Sequence, residues 1–243
     1  MRWRCVTGAT GVGQHHPHNR AMGTLYLVRH GQASFGADNY DQLSDLGRRQ
    51  SERLGAWFAG KGLVFEAAFC GSLQRQRQTL QGICQGAGIA PPVTEWPGLN
   101  EYDSAAVIAT VHPQPLEKPD TPEKYRHHFR LLRDGLTQWM NGVVSPQGMP
   151  DYPGFVDGVW QAMEQVRKHH SGNVLMVSSG GPIATAVGRV LGTAPETTIE
   201  LNMRIRNSAV TEFAFSPKRH MLLTYNTLPH LDGASYQDWI TYA

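Results

Sequence analysis

The alternation of apolar and polar stretches along the chain predicts a mixed α/β protein. Thr24–Val28 is a short, β-rich apolar run between Gly23 and the polar Arg29-His30-Gly31, and it is the first predicted buried strand. Further strands are predicted at Val64–Cys70 and Val174–Ser178 and, near the end of the chain, at 208–215 and 220–225.

Helical periodicity fills the segments between these strands. Ser44 is expected to cap a first helix that reaches about Gly60. A second helix is predicted over Leu73–Gln85, ended by Gly86 and Gly88. Three more are predicted at Pro122–Met140, at Phe155–His169 and from Gly180 to about Leu191.

Strands that alternate with helices favour a three-layer α/β/α sandwich with a mostly parallel central sheet. We expect a single domain over 23–243 with a helical insertion at about 104–152, and a disordered or artefactual extension at 1–22. Ligands bind such sheets at the carboxyl ends of the strands. Functional side chains are therefore expected in Arg29-His30-Gly31 and in Ser178-Ser179-Gly180-Gly181, which each follow a strand directly.

Composition and charge narrow the class of protein. The hydrophobic fraction of 40% and the charged fraction of 17% are ordinary for a globular protein. No apolar run approaches the roughly 20 residues of a membrane helix, so no membrane partner is expected. The formal charge of +2 depends on three arginines in 1–22; the remainder has 19 basic against 20 acidic residues, which argues against nucleic acid as a partner. Three cysteines without CxxC spacing favour a reducing cytoplasm over a disulfide framework.

The first of the two loops has the residues of a phosphoryl-transfer site. Neutral imidazole is a competent nucleophile toward phosphorus, and an adjacent guanidinium can hold phosphate oxygens, so His30 and Arg29 are candidates for these roles. Gly31 leaves room for the backbone to approach a ligand. Alone, these three residues are weak evidence, because a histidine at a strand end is usually a satisfied polar side chain.

Several separated motifs make the pattern specific. LVRHGQ at 27–32, LSDLGRRQSERLG at 43–55, SLQRQRQT at 72–79 and LNE at 99–101 resemble the histidine phosphatase (phosphoglycerate mutase-like) superfamily in order and spacing. RNSAVTEF at 206–213 and YNTLPHL at 225–231 resemble the closing strand pair of that family, so the resemblance covers roughly 23–232.

The resemblance implies a set of site residues. His30 would be phosphorylated, Arg29 and Arg75 would clamp the phosphoryl group, and Glu101 would protonate the leaving oxygen. Arg77 is the alternative to Arg75, although the S-L-x-R register selects Arg75, and Glu95 and Asp103 are rivals to Glu101. The family chemistry needs no metal or other cofactor, so none is expected.

One position departs from the family pattern. The family has a second histidine in a stretch resembling V-S-H-G-G, where this chain has Ser179 followed by Gly180. Losing one preorganised donor typically costs about 3–4 kcal/mol, or roughly 100- to 1,000-fold in rate. The Ser179 hydroxyl and the free N–H groups expected near Gly181, at the start of a helix, would compensate in part. His230 and His112 are candidates for a replacement histidine, but an ordinary structural role is the preferred interpretation of both.

These features predict phosphomonoester hydrolysis through phosphohistidine on His30. The alternatives are a catalytically impaired, phospho-ligand-binding pseudophosphatase and phosphoglycerate mutase-type transfer. Mutase activity is disfavoured because the residues after Glu101 do not resemble the corresponding mutase segment. The expected partner is a small phosphorylated substrate or a phosphoprotein, and the sequence leaves open which substrate it is and whether the protein forms a homodimer.

Overall fold

The computed structural model describes residues 22–34, 41–117 and 119–242. Apart from Met22, the extension predicted at 1–22 lies outside the described residues. The described chain contains six strands: β1 (Gly23–Arg29), β2 (Phe65–Cys70), β3 (Val93–Glu95), β4 (Asn173–Ser178), β5 (Val210–Ser216) and β6 (Arg219–Thr227). Its α-helices are α1 (Asp45–Gly60), α2 (Gln74–Ala87), α3 (Ser104–Ala109), α4 (Pro122–Met140), α5 (Tyr152–His169), α6 (Gly180–Leu191) and α7 (Pro195–Arg204).

The strands form one sheet in the order β3-β2-β4-β1-β5-β6. β3, β2, β4 and β1 run parallel, and β5 and β6 are antiparallel to their neighbours. The mostly parallel sheet of the sequence prediction is therefore confirmed, and β1 and β4, which precede the two predicted functional loops, are direct neighbours.

The two faces of the sheet bury separate apolar cores. Along β1, Leu25 and Leu27 contribute to one core, whereas Tyr26 and Val28 contribute to the other, as the two-residue period of a strand requires. The first core packs against α3 to α7 and the second against α1 and α2, so the molecule is the predicted three-layer sandwich. The described chain also has the helices α3 and α4 within the segment 104–152, for which an insertion was predicted.

The local signals for the helix ends were mostly correct. Ser44 caps α1 by accepting a hydrogen bond from the backbone N–H of Gly47 at 3.0 Å. α2 ends at Ala87, and the next residue, Gly88, has a left-handed φ of 66° that terminates the helix. Gly86, however, does not end the helix; it lies inside α2, where a Cβ atom would be 2.0 Å from the carbonyl oxygen of Glu52 on α1.

Three short elements differ from the sequence prediction. β3 lies in the segment that its prolines had indicated as a loop, and all three of its residues are exposed. α3 and α7 were not predicted; α7 buries only Thr198 and Ile199, which is too narrow an apolar face to stand out in the sequence. No helix of the described chain is long and apolar enough to cross a membrane.

Candidate active site

The pairing of β1 with β4 brings the two predicted loops together. Arg29 is the register partner of Ser178 in the parallel ladder, and the backbone N–H of His30 donates to the carbonyl of Ser178 at 2.9 Å. On the other side, the backbone N–H of Ser208 donates to the carbonyl of His30 at 3.2 Å. The backbone of His30 is thus held between two strands, and its side chain is buried.

The hydrogen bonds of His30 define its tautomer. Nδ1 lies 2.7 Å from the carbonyl oxygen of Gly31. Because a carbonyl only accepts, Nδ1 carries the proton, and Nε2 has a lone pair that can accept a hydrogen bond. The Nε–H of Arg75 donates to Nε2 at 3.2 Å. Burial, followed by the charges of Arg29 and Arg75, holds the pKa of His30 well below 6.5, so the ring is neutral at physiological pH.

Arg75 lies in the first turn of α2 and is held by a carboxylate that the sequence did not single out. Its Nη1 is 2.8 Å from Oδ1 of Asp41. Asp41 also accepts from the backbone N–H of Gln74 at 2.9 Å and so caps α2 from a distant part of the chain. The rival Arg77 instead pairs with Glu95 at the surface, where both side chains are about half exposed.

Arg29 is oriented by hydrogen bonds to two backbone carbonyl groups. Its Nη1 donates to the backbone carbonyls of Ile205 and Tyr242. Its charge acts on the pKa values of both His30 and Glu101, so the guanidinium lies within electrostatic range of both side chains. Arg75 contacts the imidazole directly, whereas Arg29 acts on it through its charge.

Glu101 is a partly buried residue whose carboxyl group contacts the start of α6. Its Oε1 and Oε2 accept from the backbone N–H of Gly181 at 3.1 and 3.2 Å, and Oε1 also accepts from the N–H of Tyr102 at 3.3 Å. Burial raises the pKa of Glu101, against the opposing effects of these bonds and of Arg75 and Arg29. A carboxyl group that retains its proton above the usual pH range suits a general acid.

The two rivals of Glu101 have structural roles. Asp103 caps α3 by accepting from the N–H groups of Ala105 and Ala106 at 2.9 and 3.0 Å. Glu95 belongs to the surface ion pair with Arg77. Of the three carboxylates considered, Glu101 is the one that contacts the loop after β4.

Ser179 and Gly180 lie at the junction of β4 and α6. Ser179 is fully buried, and its Oγ accepts from Nε2 of Gln76 at 2.9 Å. Gly180 is packed so closely that a Cβ atom would be 2.6 Å from Oδ1 of Asn202. The expectation that the N–H of Gly181 faces a ligand is wrong, because this N–H donates to Glu101 instead.

The two candidate replacement histidines occupy other positions. Nε2 of His230 is 2.9 Å from Oγ of Ser208, so this ring lies behind the backbone of His30. Burial is the main cause that lowers the pKa of His230 to about 3. His112 packs edge-on against His127, with ring centroids 6.1 Å apart. In the described part of the chain, no hydrogen bond or ring contact joins either histidine to His30, which supports the structural interpretation.

The described residues contain no group of three or more histidine, cysteine, aspartate or glutamate side chains that could hold a metal ion. The arrangement at the strand ends is a neutral imidazole in contact with the guanidinium of Arg75, within electrostatic range of Arg29, and near the protonatable carboxyl group of Glu101. Such a site, at the carboxyl edge of a parallel sheet, defines an α/β enzyme with a centre suited to phosphate esters.

Comparison with known proteins identifies the family. The family model described as histidine phosphatase superfamily (branch 1) matches residues 25–228. The chain therefore belongs to the histidine phosphatase superfamily, and the resemblance inferred from the motifs is confirmed. This membership, together with the similar proteins named below, identifies the chain as an enzyme of the phosphatase class.

The similar proteins include a metal-independent phosphoserine phosphatase from Arabidopsis thaliana, 23% identical over 219 residues, which cover 87% of this chain and 84% of the relative. Among solved structures, a phosphoserine phosphatase from Entamoeba histolytica in complex with 3-phosphoglyceric acid has a TM-score of 0.62 and 18% identity. The match covers 86% of this chain and all of that one. A putative alpha-ribazole-5'-P phosphatase from Escherichia coli has a TM-score of 0.60 and 18% identity, with 85% and 97% of the chains covered. These structures share the fold of this chain.

Proposed function

We propose that the protein hydrolyses phosphate monoesters through a covalent phosphohistidine on His30. The observation that carries the proposal is the contact between Nδ1 of His30 and the carbonyl of Gly31 at 2.7 Å. It leaves the lone pair of Nε2 directed at the guanidinium of Arg75, which is the group suited to hold the phosphoryl oxygens.

In the first half-reaction, the phosphate dianion of the substrate takes the place of Nε2 as the partner of the Arg75 guanidinium. Nε2 of His30 attacks phosphorus, so that a P–N bond forms while the bond between phosphorus and the ester oxygen breaks. Glu101 gives its proton to the departing oxygen, and the alcohol leaves. The raised pKa of Glu101 supports this role, because the acid must be protonated when the substrate arrives.

In the second half-reaction, Glu101 acts as the base. Its carboxylate takes a proton from water while the water oxygen attacks phosphorus, and the P–N bond breaks with its electron pair returning to Nε2. Inorganic phosphate leaves, and both His30 and Glu101 recover their initial protonation states. Arg29 and Arg75 offset the charge of the phosphoryl oxygens in both steps.

Ser179 occupies the position at which the family pattern has its second histidine. A neutral hydroxyl donor stabilises a charged phosphoryl group less than a cationic imidazole does, so we expect a slow enzyme. The same observation favours a second candidate function, a pseudophosphatase that binds a phosphorylated ligand without turnover.

The proposed substrate class is a small phosphomonoester. Its support is that the Arabidopsis and Entamoeba proteins are described as phosphoserine phosphatases and that these chains match along most of their lengths. A panel of phosphoserine, sugar phosphates, nucleotides, 3-phosphoglycerate and phosphopeptides separates this class from a phosphoprotein substrate and from mutase-type transfer.

The test is to trap the phosphoenzyme. The protein is incubated with a phosphomonoester and quenched in base, because phosphohistidine is labile to acid, and the peptide that contains His30 is examined by mass spectrometry. We expect an added phosphoryl group on His30 and release of inorganic phosphate; both are lost in His30→Ala and retained in the control His127→Ala, which alters an exposed histidine. Binding of inorganic phosphate without phosphoenzyme or turnover would instead establish the pseudophosphatase.

A further inference from the structure

A buried amide side chain connects helix α2 with the serine at the start of α6. Gln76 follows Arg75 in the chain and is fully buried. Its Nε2 donates to two acceptors, the carbonyl oxygen of Leu99 and the Oγ of Ser179, both at 2.9 Å. A glutamine in a polar helical run would ordinarily face solvent, so both its burial and these two contacts call for an explanation.

The carbonyl of Leu99 fixes the orientation of the amide. It can only accept, so the amide nitrogen of Gln76 must face it, and Oγ of Ser179 is therefore an acceptor as well. The same carbonyl also accepts from the hydroxyl of Ser178 at 2.7 Å, so both of its lone pairs are used. In the described structure, the proton of the Ser179 hydroxyl thus has no acceptor and is available for a ligand.

The Ser179 hydroxyl lies at the same edge and on the same face of the sheet as the proposed nucleophile, His30. His30 and Ser179 each follow the register pair Arg29 and Ser178, so they are neighbouring positions at the same sheet edge. Side chains alternate along a strand, and both residues fall on the face that α2 covers, where His30 contacts Arg75 and Ser179 contacts Gln76. Consecutive residues of α2 therefore support the two strand ends.

The contact between Gln76 and Ser179 leaves a buried polar atom of Gln76 unsatisfied, and packing alone does not explain why an amide is present. Oε1 of Gln76 is buried without a hydrogen-bond partner. The side chain fits only because position 71 is glycine, where a Cβ atom would be 1.9 Å from this oxygen. Methionine would fill a similar volume without leaving a polar atom unsatisfied, so what the amide adds is the pair of N–H groups that it supplies to Leu99 and Ser179.

We propose that Gln76 is a positioning residue that holds the Ser179 hydroxyl as a hydrogen-bond donor to the transferring phosphoryl group. The N–H of Gln76 occupies a lone pair of Oγ, which directs the hydroxyl proton away from α2 and strengthens it as a donor. The inference rests on the proposed function, since it assigns Ser179 to the phosphoryl site.

The test is a double-mutant cycle on Gln76→Met and Ser179→Ala, with kcat and KM measured on 4-nitrophenyl phosphate. Gln76→Met is expected to lower kcat by about tenfold with little change in KM, since it removes a contact that matters in the transition state. The double variant should be no slower than Ser179→Ala alone, because Gln76 acts through Ser179. Gln81→Met, an exposed change on the same helix, should behave like the wild type.

A structural role for Gln76 would give a different pattern. If folded Gln76→Met keeps the wild-type kcat, or if its effect is as large in the Ser179→Ala background, the positioning inference is refuted while the proposed function stands. Circular dichroism and thermal melting establish that each variant is folded. If the wild-type protein does not turn over, the same cycle is run on binding of orthovanadate by calorimetry. Coupling between the two positions would then support the inference although hydrolysis had failed, and its absence would overturn the inference.

Discussion

Glu101→Gln gives the sharpest test of the chemistry, because it removes the acid and base functions of this side chain with little change in its size. The amide oxygen of glutamine can still accept from the N–H of Gly181, which lies 3.1 and 3.2 Å from the two carboxyl oxygens. The shape of the site and the contact with α6 are therefore retained. General acid catalysis contributes typically about 10²–10⁴-fold, which corresponds to roughly 3–5 kcal/mol of barrier.

The loss should depend on the leaving group. An alkyl phosphate such as glycerol phosphate needs a proton on its departing oxygen, so kcat should fall by about a hundredfold or more. 4-Nitrophenolate leaves without one, so the first step with 4-nitrophenyl phosphate should slow far less. The assay is a burst experiment with both substrates, with the surface variant Glu95→Gln as a control. Equal losses in the burst rate, which reports the first step, on both substrates would refute the assignment of Glu101 as the acid.

The same substitution has a consequence for stability. Burial raises the pKa of Glu101 above its ordinary value of 4.5, so its protonated form is favoured in the folded state. Its contribution to the free energy of unfolding is complete below about 4.5 and is lost as the pH rises through the folded pKa. Relative to the wild type, Glu101→Gln should therefore gain stability between acidic and neutral pH, as measured by urea unfolding.

Three further substitutions test residues that hold the side chains or backbone of the site in position. Thr79→Val leaves the buried N–H of Gly31, now 3.0 Å from the Thr79 hydroxyl, without its acceptor, and should lower the free energy of unfolding by about 1–3 kcal/mol in urea titration. Gly181→Ala would place a Cβ atom 2.2 Å from Oε1 of Glu101, so kcat should fall sharply in a protein that still folds. His230→Gln removes a group whose pKa is about 3 when folded and 6.5 in its ordinary state, so stability should fall less steeply than in the wild type as the pH drops from about 6.5.

Each of these predictions has its control. Thr79→Ser restores a hydroxyl and should recover most of the lost stability, and Gly60→Ala, where no atom lies within 4 Å of the added Cβ, should leave kcat unchanged. Wild-type turnover in Gly181→Ala would mean that the position of Glu101 does not matter. An unchanged acid slope in His230→Gln would show that this ring titrates alike in the folded and unfolded chain.

Much of the fold could be predicted because its main elements have their own signals. β1 is a β-rich apolar run at the start of the domain, and Pro122–Met140 has both a proline at its first turn and a clear apolar periodicity; its predicted bounds match α4. β3 has three exposed residues among prolines, and α7 buries a narrow face. Those two elements depend on tertiary packing, which no local pattern records.

The residues of the candidate site also divide into those that local motifs identify and those that depend on distant contacts. The motifs identified His30, Arg29 and Arg75; the structure places the Arg75 guanidinium in contact with His30 and Arg29 within electrostatic range, whereas the roles inferred for them remain predictions. Asp41 and Gln76 were missed because each acts on residues far away in the chain, Asp41 on the start of α2 and Gln76 on Ser179. Alternating glutamines at 74, 76 and 78 give no sign of which one turns inward.

The position of β1 in the middle of the sheet determines when activity can arise during folding. Its two neighbours, β4 and β5, lie about 150 and 190 residues further along the chain. A ribosome must therefore release nearly the whole domain before the strand that precedes His30 has both neighbours, and contacts of such long range form slowly. Recovered enzymatic activity in a refolding experiment should lag behind recovered helical signal, because only the completed sheet holds the nucleophile in place.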